Sequence, residues 1–189
     1  MSTPASCTAF AGLQRIAGGP PAVVAAAVRR HMDRHPEAAI LVFDDEAAQP
    51  VEFDLRGTEA EVVARMGGSA LDSVAPARAR GRPKLGVVAR EVTLLPRHWE
   101  WLAAQPGGAS VALRKLVEGA RAANVGKDRL RAAQAATHRF MTAMAGNLPG
   151  YEDALRALYA GDRARFEGLI AAWPTDIRAY TLQLAADAL

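Results

Sequence analysis

The sequence predicts an α+β protein built from a small N-terminal ββαββα unit, a central strand–helix–helix segment and a C-terminal small helical bundle. Three observations predict it. Strand-like runs, either β-branched and apolar or strictly alternating, fall within the first 95 residues. Apolar residues at helical spacing dominate the last third. Between them, residues 67–86 lack any apolar period and hold Gly, Pro and Arg. The predicted domains are therefore 1–66, a flexible basic linker at 67–86, a central segment at 87–123 and a helical bundle at 124–189.

The N-terminal elements follow in order. Thr8–Gly12 and Arg15–Gly18 read as short strands around a turn at Leu13–Gln14. Gly18-Gly19 breaks the second strand, and Pro20-Pro21 suit the first turn of a helix. Val24, Ala27, Val28 and Met32 mark one face of that helix from about Ala22 to Arg34, and Pro36 ends it. Ala39–Phe43 is a continuous apolar run, the mark of a buried strand. Asp44–Pro50 is a polar turn. Val51–Leu55 alternates apolar and polar, which predicts a strand with one wet face. Thr58 and Glu61 form a capping box for a short helix carrying Val62, Val63 and Met66.

In the centre, Val87–Leu95 is β-branched and apolar and reads as a strand. Pro96 starts a helix with Trp99 and Leu102 on one face, and Pro106-Gly107-Gly108 ends it. Ser110 is the expected N-cap of the next helix, whose stripe is Leu113, Leu116, Val117 and Ala120. A further helix is expected over about Lys127–Ala145, with Leu130, Phe140, Met141 and Met144 along it. Gly146–Gly150 breaks it. Three short helices follow, carrying Leu155 and Leu158, then Phe166, Leu169, Ile170 and Trp173, then Ile177, Tyr180 and Leu184. Gly161-Asp162 and Pro174-Thr175 separate them, which predicts antiparallel packing.

Composition narrows the function classes. The chain has 189 residues and a net charge of +3; 50% hydrophobic and 23% charged residues exclude a wholly disordered chain. One cysteine, Cys7, excludes an internal disulfide and fits a reducing cytoplasm. No signal peptide and no membrane-length apolar run is visible, so a cytoplasmic protein is expected. Residues 1–75 hold 6 basic and 10 acidic side chains, a net of −4; residues 76–121 hold 9 and 3, a net of +6. The remainder, 122–189, holds 8 and 7. A polyanion would dock at the middle.

Two motifs sit in that middle. Arg80-Gly81-Arg82-Pro83-Lys84 resembles the core of an AT-hook, in which Gly allows close approach to the minor groove and Pro keeps the arm extended. Arg90 to Arg121 resembles the ribbon-helix-helix family: a strand, a Pro-started helix, a Gly turn and a Ser-capped helix. That resemblance implies a homodimer whose paired strands lie in the major groove, with a phosphate at the second helix N-terminus. The nucleic-acid-binding residues expected are Arg78, Arg80, Arg82, Lys84, Arg90, Thr93 and Ser110. The dimerisation residues expected are Val88, Val92, Leu94, Leu95 and Trp99. The strand departs from the family pattern, because one face offers only Arg90 among apolar residues and the other carries Glu91.

Gly81–Ser110, Leu41-Val-Phe-Asp-Asp45, Asp54-Leu-Arg-Gly57 and Gly161-Asp-Arg-Ala-Arg-Phe166 together resemble an uncharacterised bacterial family, domain of unknown function 2239. The resemblance spans nearly the whole chain and implies no activity, so no site residue is carried over from it. His31 and His35 stand four apart, a metal-ligand spacing, but Pro36 follows at once, and they read as ordinary helix residues. Asp44, Asp45 and Glu46 read as turn residues. There is no phosphate-cradling Gly loop and no nucleophile elbow, so no cofactor, metal site or catalytic residue is expected. The best reading is a dimeric DNA-associated or transcriptional regulator. The alternatives are a protein-interaction module whose central segment only dimerises, and an enzyme with an unrecognised site. Expected partners are a second copy, double-stranded DNA or another protein, with no membrane.

Overall fold

The structure, a computed structural model, describes residues 4–68, 88 and 90–189. It is a mixed α+β fold in two compact units. Among the described residues, one joins 4–68 with 128–189, and the other holds 88 and 90–127.

In the larger unit, β1 (Cys7–Ala11) and β2 (Gln14–Gly19) form an antiparallel hairpin, and β3 (Ile40–Asp44) pairs antiparallel on the other side of β1. The sheet order is β2-β1-β3. Gly12, with φ of +55°, makes the hairpin turn. β1 is central, and Cys7, Thr8, Ala9 and Phe10 are all buried. Successive side chains point to opposite faces. Cys7 and Ala9 pack with Val24 and Val28 of α1 (Pro21–Arg34) and with Val42. Phe10 and Phe43 pack on the other side with the C-terminal helices.

Those helices are the end of α4 (Gly108–Ala145), α5 (Tyr151–Ala160), α6 (Arg163–Leu169) and α7 (Thr175–Leu184), closed by a 3-10 turn at Ala185–Asp187. Phe10, Phe43, Phe140 and Tyr180 form the centre of the core, with contacting ring centroids between 4.7 and 6.3 Å apart and mostly edge-to-face. That arrangement suits the ring quadrupoles. Side chains from the two ends of the sequence thus share one core.

The family-like motifs build turns in this unit. Asp54 accepts from the Arg56 backbone N–H and binds its guanidinium at 2.8 Å. Gly57 follows at φ +89°, where a Cβ would meet the Glu61 carboxylate. Thr58 and Glu61 then form the expected capping box at the start of α2 (Glu59–Gly68): the Thr58 N–H donates to Glu61 Oε2 at 2.7 Å. Gly161, left-handed at φ +69°, ends α5, and Asp162 Oδ1 accepts from the Arg165 N–H to start α6.

Three expectations change. Val51–Leu55 is not a strand. Val51 N–H donates to Val42 O at 2.8 Å and Pro50 bridges Phe43, but pairing stops there. Val51, Phe53 and Leu55 still pack against the α1 cluster, so the alternation reports burial without a ladder. Val88 and Arg90–Leu95 form no strand either. A ribbon completed by a second chain has no ladder within one chain, and Leu95 is extended because Pro96 follows it. Finally, the helices expected near 110–121 and 127–145 are one 38-residue helix, α4. Gly119 and Gly126 cost about 1 kcal/mol each in a helix, which does not interrupt an Ala-rich run.

In the central unit, α3 (Pro96–Ala103) is joined to α4 by a turn in which Gly107 has φ +86°. Among its described residues only Leu102 and Ala112 are buried.

Candidate functional site

The residues expected to act are placed as follows. Arg78, Arg80, Arg82 and Lys84 lie outside the described residues. Arg90 and Thr93 are exposed in the extended segment before α3. Ser110 is exposed in the first turn of α4. It caps nothing, because the helix already starts at Gly108, and its carbonyl accepts from Arg114 Nε at 3.1 Å. Of the expected dimerisation residues, Val88 is 72% exposed, Val92, Leu95 and Trp99 are exposed, and Leu94 is half-buried. Trp101, Leu116, Val117 and Val125 are exposed as well. The apolar side chains of the central unit therefore face outward, on a unit that also carries Arg97, Arg114, Lys115 and Arg121 against Glu91, Glu100 and Glu118.

A second cluster was not legible in the sequence. Asp45, at the end of β3, accepts hydrogen bonds from three hydroxyls: Ser6 Oγ, Thr8 Oγ1 at 2.7 Å and Tyr180 Oη at 2.8 Å. The Asp45 N–H also donates to Ser6 O. Neighbouring Asp44 is spent on its own loop, accepting from the N–H groups of Glu46, Ala47 and Gln49. Arg139 donates to Ala47 O, fastening α4 to the same loop. Burial and the Asp45 carboxylate raise the Tyr180 phenol above its ordinary range. Burial, with Asp45 and Asp44 nearby, pushes the Cys7 thiol up to about 11.

Beside this cluster lies a cleft of about 1200 Å³, lined by Ser6, Asp45, Glu52, Phe53, Arg65 and Met66 among others. Its chemistry is limited. The Asp44 and Asp45 oxygens are already occupied, and among the described residues no His lines the cleft to activate Ser6. Burial keeps the Cys7 thiol protonated at neutral pH. The cluster ties the sheet to α7 and the N-terminal segment. Tyr180 lies 135 residues from Asp45, so no local pattern could announce the contact.

A family described as an uncharacterized protein conserved in bacteria (DUF2239) matches residues 6–185. The chain belongs to that family. No curated protein and no solved structure matches it significantly. Membership brings no activity with it, and the ribbon-helix-helix likeness of the central segment finds no support in these comparisons. Among the described residues, no helix is long and apolar enough to cross a membrane.

Proposed function

We propose that this chain self-associates, and that its central unit is the surface through which one copy docks on another. The imbalance of that unit carries the reading. Among its described residues two side chains are buried, Leu102 and Ala112, while Trp99, Trp101, Leu116 and Val117 are exposed. Burying a Leu contributes about 1.5–3 kcal/mol, whereas ordering a chain costs about 1.5 kcal/mol per residue, so a hairpin with this core needs burial from elsewhere. A second copy supports the reading better than an unrelated partner, because the unit carries both signs of charge. Arg97 and Arg114 beside Glu100 and Glu118 give the mixed charge that suits a self-complementary two-fold contact. The segment Arg90–Leu95, with no ladder of its own, would gain one from its mate.

Light scattering between about 1 and 100 µM tests this, since association follows mass action. A dimer is expected, and Leu116→Glu with Val117→Glu should shift it toward monomer. A strict monomer throughout ends the reading.

A second reading has its own observation. Residues 76–121 carry a net charge of +6, against −4 in the first 75. A dimer would present two such segments to duplex DNA, making the chain a DNA-associated regulator. Gel-shift titration at about 50 mM salt is the favourable condition, because phosphate contacts weaken as counterions are added. Neutralising Arg80, Arg82 and Lys84 together should weaken binding to every sequence and lower the salt slope, while removing Arg90 should change sequence preference. A dimer that retards no duplex is a protein-interaction module.

A further inference from the structure

The geometry points to a divalent transition-metal site at the C-terminal end of α1, formed by His31 and His35. His31 lies in the last turn of α1, and His35, four positions on, is its C-cap residue. Pro36 follows at once, yet the turn between them is intact: the His35 N–H donates to His31 O at 2.9 Å. Their imidazole centroids lie 4.8 Å apart with the ring planes at 41°.

That separation matches two imidazoles on one ion. Two rings on one ion, with metal–nitrogen bonds of about 2.1 Å, each have their centroid about 3.2 Å from it, so a centroid separation below about 6.4 Å, such as 4.8 Å, leaves room for a shared ion.

The surroundings permit a cation. Arg29 is paired with Asp33 at 2.7 Å, and Arg30 with Glu59 at 3.3 Å, so two of the nearby α1 cations are already engaged. His35 is exposed and His31 half-buried, so an ion enters from solvent. Among the described residues no third His, Cys, Asp or Glu completes a larger cluster. The ion therefore keeps water in its other positions, and the site is open and exchangeable. Imidazole donors select Ni²⁺, Cu²⁺ or Zn²⁺ over Mg²⁺ and Ca²⁺, which prefer oxygen.

Bare rings also meet at this distance, since aromatic pairs settle about 4.5–7 Å apart. Calorimetric titration of the untagged full chain with Ni²⁺, in a non-chelating buffer, separates the two cases. One ion per chain with a micromolar dissociation constant is expected. His31→Gln and His35→Gln should each weaken it at least tenfold, because the second imidazole acts at a high effective concentration. His98→Gln should leave it unchanged, and circular dichroism should show both α1 variants folded. Binding that survives both α1 substitutions, binding lost in His98→Gln, or no saturation below about 1 mM overturns the inference.

Discussion

Tyr180→Phe removes one hydroxyl and keeps a ring. Tyr180 is 1% exposed and packs on Phe140 and Phe10 at centroid distances of 4.7 and 5.4 Å, contacts that phenylalanine preserves. What is lost is the 2.8 Å bond to Asp45 Oδ1. A hydrogen bond to a charged group contributes about 1.5–3 kcal/mol. Asp45 is half-buried and keeps Thr8 and Ser6, so the lower half of that range is expected, about 1.5–2 kcal/mol, or a fall in Tm of about 3–8 °C. The two units could unfold separately, so the probe must report the larger one. Trp99→Phe with Trp101→Phe leaves Trp173, which is buried and donates to Pro149 O, as the single tryptophan. Urea denaturation followed by its fluorescence gives the difference. The pH dependence has a definite sign. The folded phenol is held protonated above its ordinary value of 10.0, so ionisation favours the unfolded chain. The wild-type advantage is complete below pH 10 and shrinks as pH rises beyond it, while Tyr180→Phe lacks that loss. A change under about 0.5 kcal/mol at pH 7, or parallel alkaline profiles, would refute the reasoning.

The remaining predictions concern single positions in both units. Cys7, fully buried with its thiol raised from 9.0 to about 11, should resist a thiol reagent at pH 8 until the chain is unfolded; its contribution to stability is complete below pH 9 and lost as pH rises toward 11. Asp44→Ala strands three backbone N–H groups and should cost more than about 2 kcal/mol in the same urea assay. Thr58→Ala removes half of the capping box and should cost about 0.5–2 kcal/mol. Gly126→Ala meets no atom within 4 Å on the α4 surface and should raise thermal stability or helicity by circular dichroism, equivalent to about 1 kcal/mol; destabilisation would mean that the helix is broken there.

Local signals in this sequence transmitted well. The β1–β2 hairpin, α1 behind Pro20-Pro21, and the Thr58–Glu61 capping box each rest on a few adjacent residues, and each is in place. Signals that depend on a distant partner did not. Val51–Leu55 has the side-chain alternation of a strand, but alternation records which side chains are buried, not whether the backbone finds a ladder. The stretches read as separate helices, near 110–121 and over about 127–145, are one helix, because propagation along α4 outweighs the cost of about 1 kcal/mol at Gly126. Asp45 looks like one more turn residue. Its three hydroxyl donors come from Ser6, Thr8 and Tyr180, brought together only when the sheet is covered by α7.

The residues that resemble the family divide into two kinds. Asp54-Leu-Arg-Gly57 is accounted for by a side-chain clamp, a left-handed glycine and a helix cap. Gly161–Phe166 is accounted for by a helix stop, a helix start and a buried ring. Leu41–Asp45 supplies β3, the Asp44 loop and the Asp45 anchor. Folding explains most of these residue types, Leu41, at 45% exposure, being the exception. The block from Arg90 to Ser110 differs. Leu102 and the Gly107 turn serve the α3–α4 hairpin, but Val92, Leu95, Trp99 and Trp101 spend large apolar side chains on solvent. Scattered exposed apolar residues are ordinary on a protein surface, so what sets this unit apart is how few side chains are buried beside them, two among its described residues. Self-association, as proposed above, would bury them, and the concentration dependence of light scattering decides whether it does.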